Sequence, residues 1–154
     1  MEVRVMELPP VTLAYLRHTG PFGPALGAFW RDVFNPWRAA HGLMNRTTYG
    51  IAQDDPSTTP PEQCRYDACV EVADDYVAPA PAAVMHFPGG RFAAVRYRGP
   101  AADIGNAWMA FYSKALPASG LQGIPGPCFE RYDASYTEDA ATGVFECDLC
   151  IAIK

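Results

Sequence analysis

Two kinds of apolar pattern alternate along the chain. Short runs rich in aromatic and β-branched residues, bounded by Gly, Pro, Asn and Asp, lie near Thr12–Arg17, Thr47–Asp55, Cys64–Val70, Ala83–Phe87, Arg91–Arg98, Cys128–Asp133 and Phe145–Ile153. Such runs predict strands. Between them lie two longer runs with apolar residues at the 3.6-residue period of a helix. The first, about Pro24 to His41, carries Leu26, Phe29, Trp30, Val33, Phe34 and Trp37. The second, about Ala102 to Leu116, carries Ile104, Trp108, Phe111 and Tyr112. Proline lacks the N–H a helix interior needs, so Asn35-Pro36 predicts a kink or break in the first. Leu116-Pro117 followed by Ser119-Gly120 predicts the end of the second. Phe87-Pro88-Gly89-Gly90 reads as the turn of a hairpin, and the Pro-rich stretches at 55–65 and 73–84 read as an exposed loop and a connector.

The order of elements repeats. Each half begins with a strand ending in a basic residue and Gly-Pro, Gly20-Pro21 and then Gly99-Pro100. Each continues into a helix with a tryptophan, Trp30 or Trp108, and closes on Gly-Leu, Gly42-Leu43 or Gly120-Leu121. Glycine-to-glycine spacing is 22 residues in the first copy (42 minus 20) and 21 in the second (120 minus 99). Each copy ends in an Asp-x-Cys-aliphatic strand, Asp67-Ala68-Cys69-Val70 or Asp148-Leu149-Cys150-Ile151. Those aspartates fall 47 residues after Gly20 and 49 after Gly99. The expectation is one domain over 1–154, with repeat one at about 1–73, a connector at about 74–82 and repeat two at about 83–154. The fold class is α+β: duplicated strand–helix–strand–strand modules related by a pseudo-twofold. Their antiparallel sheet is expected to carry the two main helices on one face and a ligand cleft on the other.

Composition narrows the function. Hydrophobic residues make up 49% and charged residues 19%, a globular balance. A net charge of −5, with no cluster of Lys and Arg, does not suit a nucleic-acid surface. No apolar stretch reaches the ~20 residues of a membrane span, and Glu2, Arg4 and Glu7 interrupt any leader-like apolar run. Five cysteines without a secretory signal read as reduced thiols, and a cytoplasmic location is expected. Cys147 and Cys150 form a C-x-x-C, yet residues three apart on a strand point to opposite faces, so no metal site is expected there. No cofactor motif is present.

The strand Cys128–Asp133 carries the most chemical information. Alternation puts Cys128, Glu130 and Tyr132 on one face. A carboxylate among apolar and aromatic neighbours is costly to desolvate unless paired. It is therefore salt-bridged to an arginine, held for a cationic ligand, or an ordinary part-exposed strand residue. The matching strand of copy one has Tyr49 and Ile51 on one face and no carboxylate near Gly50 and Ile51. That asymmetry predicts one acidic site, not two. Tyr15, Trp37, Tyr66, Tyr97, Trp108, Tyr112 and Phe145 are candidates for aromatic walls around it, and aromatic faces attract cations. The tryptophans, turns and Asp-x-Cys strands shared by both copies read as scaffold.

Taken in order, Arg17-His18-Thr19-Gly20-Pro21-Phe22, Gly50-Ile51 to Asp54-Asp55-Pro56, Cys64-Arg65-Tyr66-Asp67-Ala68-Cys69-Val70, Pro88-Gly89-Gly90-Arg91-Phe92-Ala93, Tyr97-Arg98-Gly99-Pro100, Trp108 and Phe129-Glu130-Arg131-Tyr132 resemble the GyrI-like small-molecule-binding domain. That family includes DNA gyrase inhibitors and the effector-binding halves of AraC- and MerR-type regulators. The resemblance implies a ligand cleft in which an acidic residue at the position of Glu130, ringed by Tyr, Trp and Phe, contacts lipophilic cations. Trp108 matches that ring well, and Tyr15, Tyr66, Tyr97, Tyr112 and Phe145 match by element. The resemblance implies a small hydrophobic or cationic ligand as partner. It also carries two alternatives: a hydrolase that opens strained electrophilic natural products, with Glu130 as catalytic residue activating water, and a protein that contacts gyrase. No helix-turn-helix motif occurs in the chain, so a direct nucleic-acid partner is not expected.

Overall fold

The computed structural model describes all of residues 1–154. Its nine strands are β1 (Arg4–Leu8), β2 (Val11–Thr19), β3 (Thr48–Ala52), β4 (Arg65–Val72), β5 (Ala83–Phe87), β6 (Gly90–Gly99), β7 (Gly123–Tyr132), β8 (Glu138–Asp139) and β9 (Val144–Ile153). They form one antiparallel sheet in the order β1-β6-β9-β7-β3-β4-β2-β5, with β8 paired to β9. The duplication is visible in that order: β6-β9-β7 is mirrored by β2-β4-β3, and the halves meet where β7 pairs with β3. The strand preceding each half crosses over, so β1 pairs with β6 of the second copy and β5 pairs with β2 of the first.

The residues shared by the copies have identifiable structural work. Gly42 and Gly120 end the two helices at positive φ, 69° and 75°, a conformation glycine adopts without strain. Asp67 and Asp148 are fully buried and stand across from Arg17 and Arg96. Arg17 donates to both oxygens of Asp67 at 2.8 and 2.9 Å, and Gln53 adds a bond of 2.9 Å. Asp148 accepts from Arg4, from Arg96 at 3.2 Å and from the Tyr136 hydroxyl at 3.0 Å. Two buried carboxylates are thus neutralised in the same way, and removing either partner would strand a charge.

The helical run at 24–40 is continuous: α-helix at Pro24–Phe29, a π turn at Trp30–Phe34 and α-helix again at Asn35–Ala40. The second run, after a 3₁₀ turn at Ala101–Asp103, repeats the design: α-helix at Ile104–Ala110, a π turn at Phe111–Ala115 and α-helix at Leu116–Ser119. Each proline follows its π turn, Pro36 in the first helix and Pro117 in the second. The widened turn accommodates a ring that cannot donate to the carbonyl four residues back. Proline therefore does not break the first helix, and the second runs past Pro117 to Ser119, where Gly120 ends it as Ser119-Gly120 predicted.

Both helices pack on one face of the sheet. The first covers Ala14, Leu16, Tyr66, Ala68 and Val70 through Phe34. The second covers Ala93, Val95, Cys147, Leu149 and Ile151 through Phe111. The other face differs from expectation. β5 and β6 lie towards opposite ends of the sheet, yet only Pro88 and Gly89 separate them in sequence. Pro9 and Pro10 likewise join β1 to β2. The sheet must curl until its ends meet, and Phe87 of β5 stacks on Phe92 of β6 at 6.2 Å. The two connections touch at Gly89, where a Cβ would lie 2.3 Å from the Leu8 carbonyl oxygen. The inside of the curl is filled by Leu13, Tyr49, Ile51, Cys69, Phe87, Phe92, Ala94, Phe129, Cys150 and Ala152. This face holds core, not a ligand cleft. Cys147 and Cys150 sit on opposite faces, in different clusters.

Phe129 meets Phe87 and Phe92 edge-on at 5.2 and 5.0 Å in the middle of this filling. Phe129→Ala should destabilise the protein by about 3–5 kcal/mol, the usual range for emptying a packed aromatic site. Urea denaturation measures it.

Candidate functional site

Glu130 lies on the helix-bearing face, at the junction between copies. Its cross-strand partner on β3 is Gly50. The two are structural equivalents, because Gly50 also pairs with Ala68 of β4 and Glu130 with Leu149 of β9, each one residue after the duplicated aspartate. The site therefore straddles the pseudo-twofold, where there is room for one carboxylate only. A Cβ on Gly50 would stand 1.9 Å from the Tyr66 hydroxyl and 2.9 Å from Glu130 Oε1. Glycine here is what lets Tyr66 reach across to Glu130.

The donors converge from both halves. The Tyr66 hydroxyl (β4) donates to Glu130 Oε1 at 3.0 Å and the Trp108 indole (second helix) donates to Oε2 at 3.1 Å. The Tyr132 hydroxyl (β7) stands 3.4 Å from Oε1, a longer contact. Trp30, on the first helix, donates to the Tyr66 oxygen at 3.0 Å. Trp108, a candidate for the aromatic wall, and Trp30, expected as scaffold, both point into this network. Rings extend the wall: Trp30 lies 5.3 Å from Tyr132, Phe22 meets Tyr66 edge-on at 6.1 Å, and Tyr112 stacks on Trp108 at 6.0 Å. Tyr112 also donates to the Cys128 sulfur at 2.7 Å.

No ion pair of the protein includes Glu130. Surrounding protein pushes its carboxyl up from the usual 4.5 to about 7, and the bonds from Tyr66, Trp108 and Tyr132 only partly offset that burial. Burial and the neighbouring carboxylate also hold the Tyr66 and Tyr132 phenols well above their ordinary value, so both remain donors. Glu130 as a whole residue is half-buried. Two surface cavities lie elsewhere. One of about 430 Å³ is lined by Arg46, Thr47, Glu71, Val72 and Ala134, and one of about 170 Å³ lies beside Phe92 and Ile124.

Of the sequence candidates, Glu130, Trp108 and Tyr66 come together directly, and Tyr112 joins through Trp108. Tyr97 and Phe145 form the next layer: Phe145 packs on Tyr132 at 6.0 Å and on Tyr97 at 5.6 Å, and the Tyr97 hydroxyl donates to the Pro100 carbonyl. Tyr15 and Trp37 are not part of this recess. Tyr15 packs against the cluster inside the curl, beneath the Arg17 guanidinium. Trp37 stacks on Phe34 at 5.9 Å and faces His41, seven residues and about 10 Å along the helix from Trp30. Gly50, Trp30 and Tyr132 complete the network without having been singled out as wall residues. A glycine inside a strand often marks a close approach, and Gly50 carried that signal.

Fold and site define a duplicated α+β domain with one acidic site, ringed by aromatic side chains, at the seam between its halves. Residues 1–154 match the GyrI-like small molecule binding domain, and the chain belongs to that family. It is 28% identical over 158 residues to a DNA gyrase inhibitor of Serratia proteamaculans, covering 100% of this chain and 99% of that one. It is 31% identical over 137 residues to a DNA gyrase inhibitor of Edwardsiella ictaluri, covering 86% of each. Among solved structures, a protein bound to tetraphenylphosphonium superposes with a TM-score of 0.69 at 14% identity, covering 100% of this chain and 94% of that one. A hydrolase from Listeria innocua gives 0.61 at 10% identity, covering 99% and 92%. At such identities the structural likeness is one of fold.

Two predictions follow from the geometry of the carboxylate. Gly50→Ala should destabilise by about 1–3 kcal/mol through overpacking against Tyr66. Gly105→Ala, in a helix with open space at its Cβ, should be neutral or stabilising in the same thermal melts. With its folded pKa raised, Glu130 binds a proton more readily in the folded than in the unfolded chain. The cost of its ionisation is absent below about pH 4.5, grows as pH rises to about 7, and is complete above. A difference of that size corresponds to about 3 kcal/mol. Glu130→Gln should therefore melt several degrees above the wild type at pH 8, with the gap closing towards pH 4.5.

Proposed function

We propose that this protein binds hydrophobic, cationic small molecules in the recess between its helices, with Glu130 as the counter-charge. One observation carries the proposal: a buried carboxylate, ringed by Tyr and Trp, has no cation of its own. The two carboxylates that the sequence does duplicate, Asp67 and Asp148, are fully buried and each is matched to an arginine. A permanent lipophilic cation entering the recess would supply the missing charge. It would also lie against aromatic faces that attract it, a contribution of about 2 kcal/mol or more when desolvated. Rings stand around the carboxylate, so binding on this account displaces an outer side chain such as Tyr112 from its present contacts, while Tyr66 and Trp108 keep their bonds to Glu130. Family membership supports small-molecule binding, and the tetraphenylphosphonium complex of a protein with this fold supports the ligand class.

A carboxyl near 7 also suits a general base, which favours hydrolysis of electrophilic ligands as a second reading. Incubation with a cyclopropane-bearing alkylator separates the two. Multiple product molecules per protein, found by mass spectrometry and lost in Glu130→Gln, would establish turnover.

For the binding reading, tetraphenylphosphonium is the direct probe, because its charge does not titrate. Affinity should rise with pH as Glu130 ionises, being roughly tenfold weaker at pH 6 than on the plateau above pH 8. Neutral triphenylphosphine oxide should show a flat or reversed profile. Calorimetry that finds tetraphenylphosphonium affinity independent of pH would remove Glu130 from the role of counter-charge.

A further inference from the structure

The polar groups that meet the Glu130 carboxylate are all donating. A carboxylate offers about four acceptor positions. Oε1 receives the Tyr66 hydroxyl at 3.0 Å and the Tyr132 hydroxyl at 3.4 Å, and Oε2 receives the Trp108 indole at 3.1 Å. One position on Oε2 is left. The Tyr66 oxygen is itself already an acceptor for Trp30. Beside the carboxylate, the Tyr132 oxygen is the remaining hydroxyl acceptor. Around these groups stand aromatic rings, which accept hydrogen bonds poorly.

We infer that the recess sorts lipophilic cations by their N–H donors, taking quaternary and charge-delocalised cations in preference to primary ammonium ions of the same shape. A primary ammonium brings three N–H groups and finds two acceptors, so at least one donor is buried without a partner. An unpartnered buried donor weakens binding roughly five- to 150-fold. A quaternary cation presents only C–H groups and leaves nothing unpaired. Its diffuse charge meets the carboxylate at one side and the faces of Trp30, Trp108, Tyr66 and Tyr132 at the others. On this account Tyr66 and Trp108 are specificity-determining: by occupying Glu130 they deny its acceptors to the ligand. The inference rests on the proposal that Glu130 is the counter-charge for a bound cation.

The test compares 2-(2-naphthyl)ethylammonium with its N,N,N-trimethyl derivative by calorimetry at pH 8, in the wild type and in Tyr66→Phe. The wild type should bind the trimethyl compound about tenfold more tightly or better. Methylation also adds apolar area, so the variant decides. Tyr66→Phe keeps the ring, removes one donor and opens a position on Oε1 to the primary ammonium. The preference should narrow to within about threefold. Because both ligands need ionised Glu130, their ratio cancels any change in its ionised fraction. Trp108→Phe reads the same ratio on Oε2 should Tyr66→Phe fail to fold. A ratio unchanged in the variant would overturn the inference, leaving apolar area as the source of the preference. Equal affinities in the wild type would overturn it too, with the binding proposal intact. Failure of both cations to bind would overturn the counter-charge role and this inference together.

Discussion

The Glu130 carboxylate, set on the seam between two copies of one module with no cation beside it, is the constraint on which the site depends. A charge in that position is tolerated only because donors reach it from both halves: Tyr66 and Trp108 directly, and Trp30 through the Tyr66 oxygen. Those bonds do not fully compensate its burial, and the carboxyl is left titrating near neutral pH. Position explains why there is one acid and not two. Gly50, the residue equivalent to Glu130, faces it directly across β3 and β7, and its missing side chain is the space the Tyr66 hydroxyl occupies. Duplication built a symmetric seam, and the asymmetry of one residue pair turned it into a single acidic recess.

The frame that carries this network lies outside it. The short β5–β6 and β1–β2 connections force the sheet to curl, and the curl encloses Phe87, Phe92, Phe129 and Tyr49. With the inner face closed by this core, the outer face is left for the helices and for whatever lies between them. Each helix reaches the sheet through a phenylalanine, Phe34 or Phe111, that is fully buried. Each also passes through a π turn just before its proline. Trp108 precedes its π turn by three residues while Trp30 begins its own, so the two indoles approach Glu130 from unlike positions in the two copies. The scaffold is symmetric and the chemistry is not.

The duplication was legible in the sequence because its landmarks are positions with few permitted residues: glycines that end helices in the left-handed conformation, and aspartates buried opposite arginines. The side of β7 bearing Glu130 was legible from strand alternation. Which face of the sheet carries the site was not, because that depends on two connections between strands distant in the sheet, a long-range fact with no local periodicity. Tyr15 and Trp37 show the limit from two directions. Tyr15 has the parity of Leu13, which belongs to the inner face, so alternation along β2 already separated it from Ala14 and Leu16 beneath the helix. Trp37 follows Trp30 by seven residues, which places it about 10 Å further along the helix, on the Phe34 cluster and away from Glu130.

Direct observation of the Glu130 carboxyl by carbon-13 NMR across pH, with and without saturating tetraphenylphosphonium, tests the central claim. An uncompensated carboxylate held for a cation should titrate near 7 in the free protein, and its pKa should fall by more than one unit when the cation is bound. A free-protein value near 4.5, or a midpoint that does not move on saturation with the cation, would contradict it.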